Sequence, residues 1–133
     1  MQSVDDRVIV TGGAGFIGSH VVADLLDHGA DVHVLDDLSA GRREYVPEAA
    51  TFHEADLREA DLGALFASVK PDAVVHLAAI HFIPYCNSHP EETFDVNVVG
   101  TRRLLEAARS YDLDAVVYAS SAAVYPPREG PNS

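Results

Sequence analysis

Lysine is almost missing from this sequence. Lys70 is the single lysine among nine basic residues, which face 21 carboxylates, and the formal charge is −12 at pH 7. A surface of that sign repels nucleic-acid phosphates and anionic membranes, so polyanion binding is excluded as a general activity. The acidity leaves two readings open: a protein working at high salt, where screening removes the self-repulsion, or simply an acidic, soluble cytoplasmic protein. Cysteine is equally scarce. Cys86 stands alone, so no intrachain disulfide forms, which agrees with a reducing compartment. No apolar run is long enough for a membrane span, and Met1 to Arg7 carries two aspartates instead of a basic leader. The expected location is cytoplasmic. Internal repeats and low-complexity blocks are missing as well.

What is present is one domain's worth of chain. With 133 residues and 47% hydrophobic content, it is long enough for one compact core and too short for two. Short apolar runs alternate with stretches of helical period, the mark of a parallel sheet covered by helices. Strands are expected at residues 8–10, 32–35, 51–53 (the weakest), 73–77 and 115–118. A first helix over 15–28 places Ile17, Val21 and Leu25, with Phe16, Val22 and Leu26, on an apolar stripe. A second carries Leu62, Leu65, Phe66 and Val69 at i, i+3, i+4, i+7 and is stopped by Pro71. A third, over about 91–109, shows Phe94, Val98, Leu105 and Ala108. Between them, residues 78–90 read as a loop. The expected domain is 1–125; residues 126–133, rich in proline, read as an exposed loop or a break in the chain.

The strongest chemical signal is Thr11-Gly12-Gly13-Ala14-Gly15-Phe16-Ile17-Gly18, between a buried strand and an amphipathic helix. Gly12 permits a tight turn, Gly15 lets a pyrophosphate approach backbone N–H groups at the positive helix end, and Gly18 allows close packing of helix on sheet. The alternative is a turn that binds nothing. A P-loop is excluded, because Ser19 follows Gly18 and no lysine reaches toward β and γ phosphates. Eighteen residues after Gly18, Asp36 ends the second strand. There an acid accepts hydrogen bonds from ribose hydroxyls and repels a 2′-phosphate, which favours NAD over NADP. Against this stand an acid that merely ends a strand, and Arg42 and Arg43, either of which could fold back to a phosphate. Phe16, Ile17 and Asp37 complete the expected cofactor contacts on this part of the chain.

These motifs, with Asp36-Asp37-Leu38-Ser39, Asp56-Leu57-Arg58, His76-Leu77-Ala78-Ala79, Asn97-Val98-Val99-Gly100-Thr101 and Ser120-Ser121-Ala122-Ala123-Val124-Tyr125, run in order from Val8 to Tyr125. In them the chain resembles the extended short-chain dehydrogenases, in the epimerase/dehydratase branch that includes the UDP-glucose 4-epimerases. The resemblance implies a Rossmann fold: an α/β, doubly wound parallel sheet of about five strands with helices on both faces. It implies NAD as cofactor, with Asp56 and Leu57 at the adenine and Leu77, Ala78 and Ala79 beside the nicotinamide half. An aspartate at a helix N-cap is the plainer reading of Asp56. Asn97 resembles the family's active-site asparagine and Ser121 its catalytic serine or threonine, which bonds the reacting sugar hydroxyl; the plainer readings are an ordinary polar helix residue and a capping or turn serine. Tyr125 is expected to pack beside the pocket.

The resemblance further implies a nucleotide-sugar substrate and a homodimer built partly on the 91–109 helix. In the family a Tyr-x-x-x-Lys pair takes the hydroxyl proton while hydride passes to the nicotinamide. None of the five tyrosines here has a lysine four residues on, so the chain reads as the cofactor-binding half, with later strands and the sugar-binding part lying elsewhere. Ala122 and Ala123 stand where the dehydratases carry Asp-Glu, which favours an epimerase over a dehydratase or dehydrogenase. A non-catalytic dinucleotide-binding module remains the alternative of another class. His81, Cys86 and His89 fit no zinc spacing, so no metal is expected. Related epimerases often carry a lysine near His89, which leaves the identity of the sugar open.

Overall fold

The computed structural model describes residues 6–121 and Pro126. Its centre is a five-stranded sheet of β1 (Arg7–Thr11), β2 (Asp31–Asp36), β3 (Thr51–Glu54), β4 (Ala73–His76) and β5 (Ala115–Tyr118). The spatial order is β3-β2-β1-β4-β5 and every pairing is parallel. The parallel sheet expected from the alternation, and the doubly wound order implied by the resemblance, are therefore present. β-Branched runs such as Val8-Ile9-Val10 and Val74-Val75 suit strands buried on both faces, and all five of those residues are buried.

Side chains alternate across the sheet and create two cores. On one face α1 (Phe16–Asp27) brings Val22 onto Val8, Val10, Val32 and Val34. On the other, α2 (Leu62–Val69) and α5 (Gly100–Ala108) bring Phe66 and Leu104 onto Ile9, Leu35 and Val74. Phe66 is fully buried, a burial that contributes roughly 1.5–3 kcal/mol for such a side chain. Asp61 caps α2 by accepting a hydrogen bond from the Ala64 N–H at 3.0 Å. Lys70 ends the helix in the left-handed region, φ 52°, just ahead of Pro71.

The structure departs from the sequence reading in three places. The apolar stripe of α1 does not include its first turn: Phe16 is 77% and Ile17 68% exposed, because that turn projects beyond the strands while Val22 lies over them. The stretch at 78–90 is not all loop, since α3 (Ile83–Ser88) forms within it with proline in its first turn, where a missing N–H costs nothing. The helix over 91–109 begins at α4 (Pro90–Phe94), passes through one π turn at Asp95–Val99 and continues as α5. Among the described residues no helix is long and apolar enough to cross a membrane. Tyr125, Ala122, Ala123 and residues 127–133 lie outside the described residues.

A histidine pair joins the edge strand β3 to its neighbour β2. His33 of β2 and His53 of β3 stack with ring centroids 5.4 Å apart, and His33 Nδ1 lies 3.1 Å from His53 Nε2. Burial, and then the proximity of His33, hold the His53 pKa below its ordinary value; burial does the same to His76. A histidine pKa depressed by folding contributes stability that is complete above the unfolded value near 6.5 and is lost as pH falls through the folded value. His28 has the opposite sign, raised first by its bond to the Asp24 carbonyl, but it is solvent-exposed and screened. The melting temperature should therefore fall between pH 7 and pH 5, and His53→Gln should flatten that slope. A pH-independent melting temperature in thermal scans would contradict the assignment.

Candidate functional site

Parallel register gathers the carboxyl ends of the three central strands at one edge. Thr11 of β1 sits between Leu35 of β2 and His76 of β4, so the turns that follow β1, β2 and β4 meet where the strand order reverses. In open α/β sheets that is where ligands bind. A crevice of about 400 Å³ lies there. It is lined by Gly12, Gly15, Asp36, Asp37, Asp56, Leu57, Leu77, Ala78 and Ala79. Nine of the expected cofactor contacts thus come together in one cavity. Phe16 and Ile17 are not part of its lining, and neither is Gly18.

The glycine turn forms because only glycine fits it. Gly12 has φ +72°, and a Cβ there would stand 2.8 Å from the Ala78 nitrogen; its own N–H donates to the Leu35 carbonyl at 2.8 Å. At Gly18 a Cβ would meet the Gly12 carbonyl oxygen at 2.1 Å, so this glycine serves the contact of helix and turn. Gly15, the N-cap of α1, is different: its nearest neighbour would be the Gly12 oxygen at an unstrained 3.4 Å. The space beside it is open and belongs to the crevice. No side chain caps α1 and its first turn carries no acid, leaving a helix N-terminus whose backbone donors and dipole favour an anion.

Asp36 ties this turn to β2. Its Oδ2 accepts from the Ala14 N–H at 3.0 Å and its Oδ1 from the Leu38 N–H at 2.8 Å. It is 9% exposed, lines the crevice, and each oxygen retains a further acceptor position. The two arginines that could have turned toward a phosphate do not line the crevice: Arg42 pairs with Glu44 at 3.6 Å, and Arg43 lies over the Phe52 ring. Asp56 is not an N-cap. It accepts from the Arg58 N–H and pairs with the Arg58 guanidinium at 2.6 Å, and that bond, foremost, lowers its pKa.

Behind the crevice lies a buried chain of hydrogen bonds that sequence reasoning missed. Thr101 Oγ1 donates to the Asn97 carbonyl at 2.7 Å, so toward His76 it accepts, from Nε2–H at 2.8 Å. His76 Nδ1 is then unprotonated and accepts from the Thr11 hydroxyl at 2.5 Å. The Thr11 oxygen in turn accepts from the N–H groups of Leu77 and Ala78, both at 3.1 Å. Every donor meets an acceptor only if the imidazole is neutral, the form that burial favours. Thr11, His76 and Thr101 each occupy a recognisable motif, but only the fold brings those motifs into contact.

Asn97 sits in the π turn, a place where helices often carry functional groups. Its Oδ1 accepts from the Ile80 N–H and its Nδ2 donates to the Ile80 carbonyl, both at 2.8 Å. It therefore fixes the loop leaving β4 and does not line the crevice itself. Ser121 stands exposed three residues past the end of β5, on the same carboxyl edge. α3 and α4 contribute the rim of the crevice, Tyr85 and Glu92 among its lining. The Tyr85 hydroxyl donates to both Glu92 oxygens, at 2.6 and 2.9 Å, and this raises its pKa. His89 stacks on Tyr85 with centroids 4.0 Å apart.

The family described as NAD dependent epimerase/dehydratase matches residues 8–133. The UDP-glucose 4-epimerase of Mycolicibacterium smegmatis is 46% identical over 120 residues, covering 86% of this chain and 38% of that protein. That of Lacticaseibacillus casei is 41% identical over 119 residues, 89% of this chain and 36% of that protein. Among solved structures, the Thermus thermophilus UDP-glucose 4-epimerase in complex with NAD superposes with a TM-score of 0.88 at 42% identity, covering 96% of this chain and 42% of that one. The chain thus spans about two fifths of the length of the relatives it matches.

Proposed function

The chain belongs to the NAD dependent epimerase/dehydratase family, and on that premise we propose that its crevice binds NAD as the cofactor-binding half of a UDP-sugar 4-epimerase. The observation that carries the reading is the convergence of the glycine turn, Asp36 and the Leu77–Ala79 backbone on one crevice at the point where strand order reverses. The open space beside Gly15 fits a pyrophosphate against the N-terminus of α1. Asp36 accepts from ribose hydroxyls, and Asp56 and Leu57 flank the adenine. The small side chains of Ala78 and Ala79 leave room for the nicotinamide half. When bound, NAD supplies the hydride acceptor for transient oxidation and re-reduction of the sugar. Ser121 shares the proton of the reacting hydroxyl, and Asn97 acts by holding Ile80 in place.

Sequence relatives that act on UDP-glucose support a UDP-sugar as substrate. The exposed Phe94, Val98 and Leu105 on the helix through α4 and α5 support a homodimer built there. The single cysteine and acidic composition support a cytoplasmic location.

Calorimetric titration with NAD and NADP tests the cofactor assignment. Repulsion between Asp36 and a 2′-phosphate is worth on the order of 1 kcal/mol or more, roughly fivefold in affinity, so NAD should bind at least that much more tightly. Asp36→Asn keeps an acceptor oxygen for the glycine turn and removes the charge, and should narrow the ratio. A wild-type preference for NADP, or a ratio untouched by the substitution, would show that Asp36 is not the selector.

A further inference from the structure

We propose that Arg103 is a positioning residue for the cofactor: from α5 it holds the turn after β3 in the shape that receives the adenine. The proposal rests on reading the crevice as an NAD site. Its basis is a fork of hydrogen bonds across two elements. Arg103 Nη1 donates to the Leu57 carbonyl, and Nη2 donates to the Ala60 carbonyl at 2.7 Å. Leu57 lines the crevice and is 6% exposed. One turn earlier on the helix, a Cβ at Gly100 would stand only 3.2 Å from the Leu57 Cβ, so α5 lies directly against this turn.

The position of the turn follows from the sheet. Asp36 is in register with Glu54 of β3. A dinucleotide whose ribose reaches Asp36 therefore places its base outward, over the turn that leaves β3. At its start the Ala55 N–H donates to the Asp36 carbonyl at 3.1 Å, and beyond that point its backbone is held by local bonds: Asp56 accepts from Arg58, and its carbonyl accepts from the N–H groups of Glu59 and Ala60. Arg103 is its tie to the rest of the domain through side-chain hydrogen bonds. The positive charge also acts on Asp56, adding to the effects that keep that carboxylate ionised. An arginine suits the task because its planar head offers several donors in a fixed fork. A lysine presents a single ammonium and spans two carbonyls three residues apart poorly.

The core does not depend on this contact, since α5 is anchored by Leu104 and Ala108. Arg103→Ala should therefore stay folded and bind NAD about tenfold more weakly, the scale of a lost charge-assisted hydrogen bond. The loss should be the same for AMP, which carries only the adenosine end. Arg103→Lys should fall between. Calorimetry on the intact protein, with melting temperatures taken in parallel, separates the outcomes. A lowered melting temperature with unchanged NAD and AMP affinity overturns the proposal, because Arg103 is then structural only; so does a loss for NAD that spares AMP. If Arg103→Ala does not fold, Arg103→Lys decides, and unchanged affinity there overturns the proposal. Failure of the wild type to bind either ligand would instead defeat the cofactor reading on which it rests.

Discussion

Gly15→Val is expected to abolish NAD binding while leaving the domain folded. A Cβ at Gly15 meets no protein atom closer than 3.4 Å, and the residue's φ of −80° and ψ of 179° are extended backbone open to a β-branched side chain. The protein has room for a Cβ at this position. The room, however, is the crevice that Gly15 lines, beside the N-terminus of α1 where a pyrophosphate would lie. Two methyl groups there keep the phosphates from the backbone donors. Charge-assisted hydrogen bonds contribute about 1.5–3 kcal/mol each, so losing two weakens binding by roughly 100-fold or more. Gly18 would be a poor substitute for this experiment, because a Cβ at 2.1 Å from the Gly12 oxygen destroys the turn itself. Calorimetry should find no heat with NAD at concentrations that saturate the wild type, and circular dichroism should find an unchanged melting curve. NAD affinity retained in the folded variant would refute the pyrophosphate assignment.

The strands were legible because burial on both sheet faces demands unbroken β-branched runs, and Val8 to Val10 or Val74 to Val75 have no other economical use. The turn was legible for a similar reason: glycines at 12, 15 and 18 are costly anywhere that backbone geometry does not require them. Phe16 and Ile17 misled because periodicity reports which residues share a helix face, not how far that face extends over the sheet. The π turn was hidden because it shifts the helix by one residue without altering composition. Asn97 reads as a polar residue on a helix until that shift places its amide against Ile80.

Most of what the sequence left unseen consists of contacts between distant segments. Thr11, His76 and Thr101 are separated by 65 and 25 residues along the chain, and neither spacing has a pattern. Arg103 resembles any other helix cation until the fold carries it to Leu57 and Ala60. These are side chains whose role is to join elements. Reading such roles requires the register that sets Thr11 beside His76 and the packing that sets α5 against the turn after β3.

Residues 1–133 by themselves are expected to bind NAD and yet epimerise no UDP-sugar. A sugar hydroxyl is a very weak acid, and releasing its hydride at neutral pH needs a base held against its proton; such assistance is typically worth about 10² to 10⁴ in rate. The described tyrosines do not supply it. Tyr85 has its proton held by Glu92, which raises its pKa, the wrong direction for a base. Tyr111 packs against Phe66 with centroids 5.7 Å apart, and Tyr45 lies in the 3-10 turn Arg43–Tyr45, outside the lining of the crevice. Tyr118 ends β5 beside His76, and the sequence places no lysine four residues after it or after Tyr125. The one lysine, Lys70, caps α2 ahead of β4, at the end of the sheet away from the crevice. His76 is buried with both nitrogens bonded. His81 is the histidine in the lining of the crevice, and among the described residues no lysine or arginine hydrogen-bonds to it. Incubation of residues 1–133 with NAD and UDP-glucose, followed by chromatographic separation of the two hexose epimers, should show none formed while calorimetry shows cofactor bound. Turnover, above all turnover lost on His81→Ala, would place the base inside this half and overturn the division of labour proposed here.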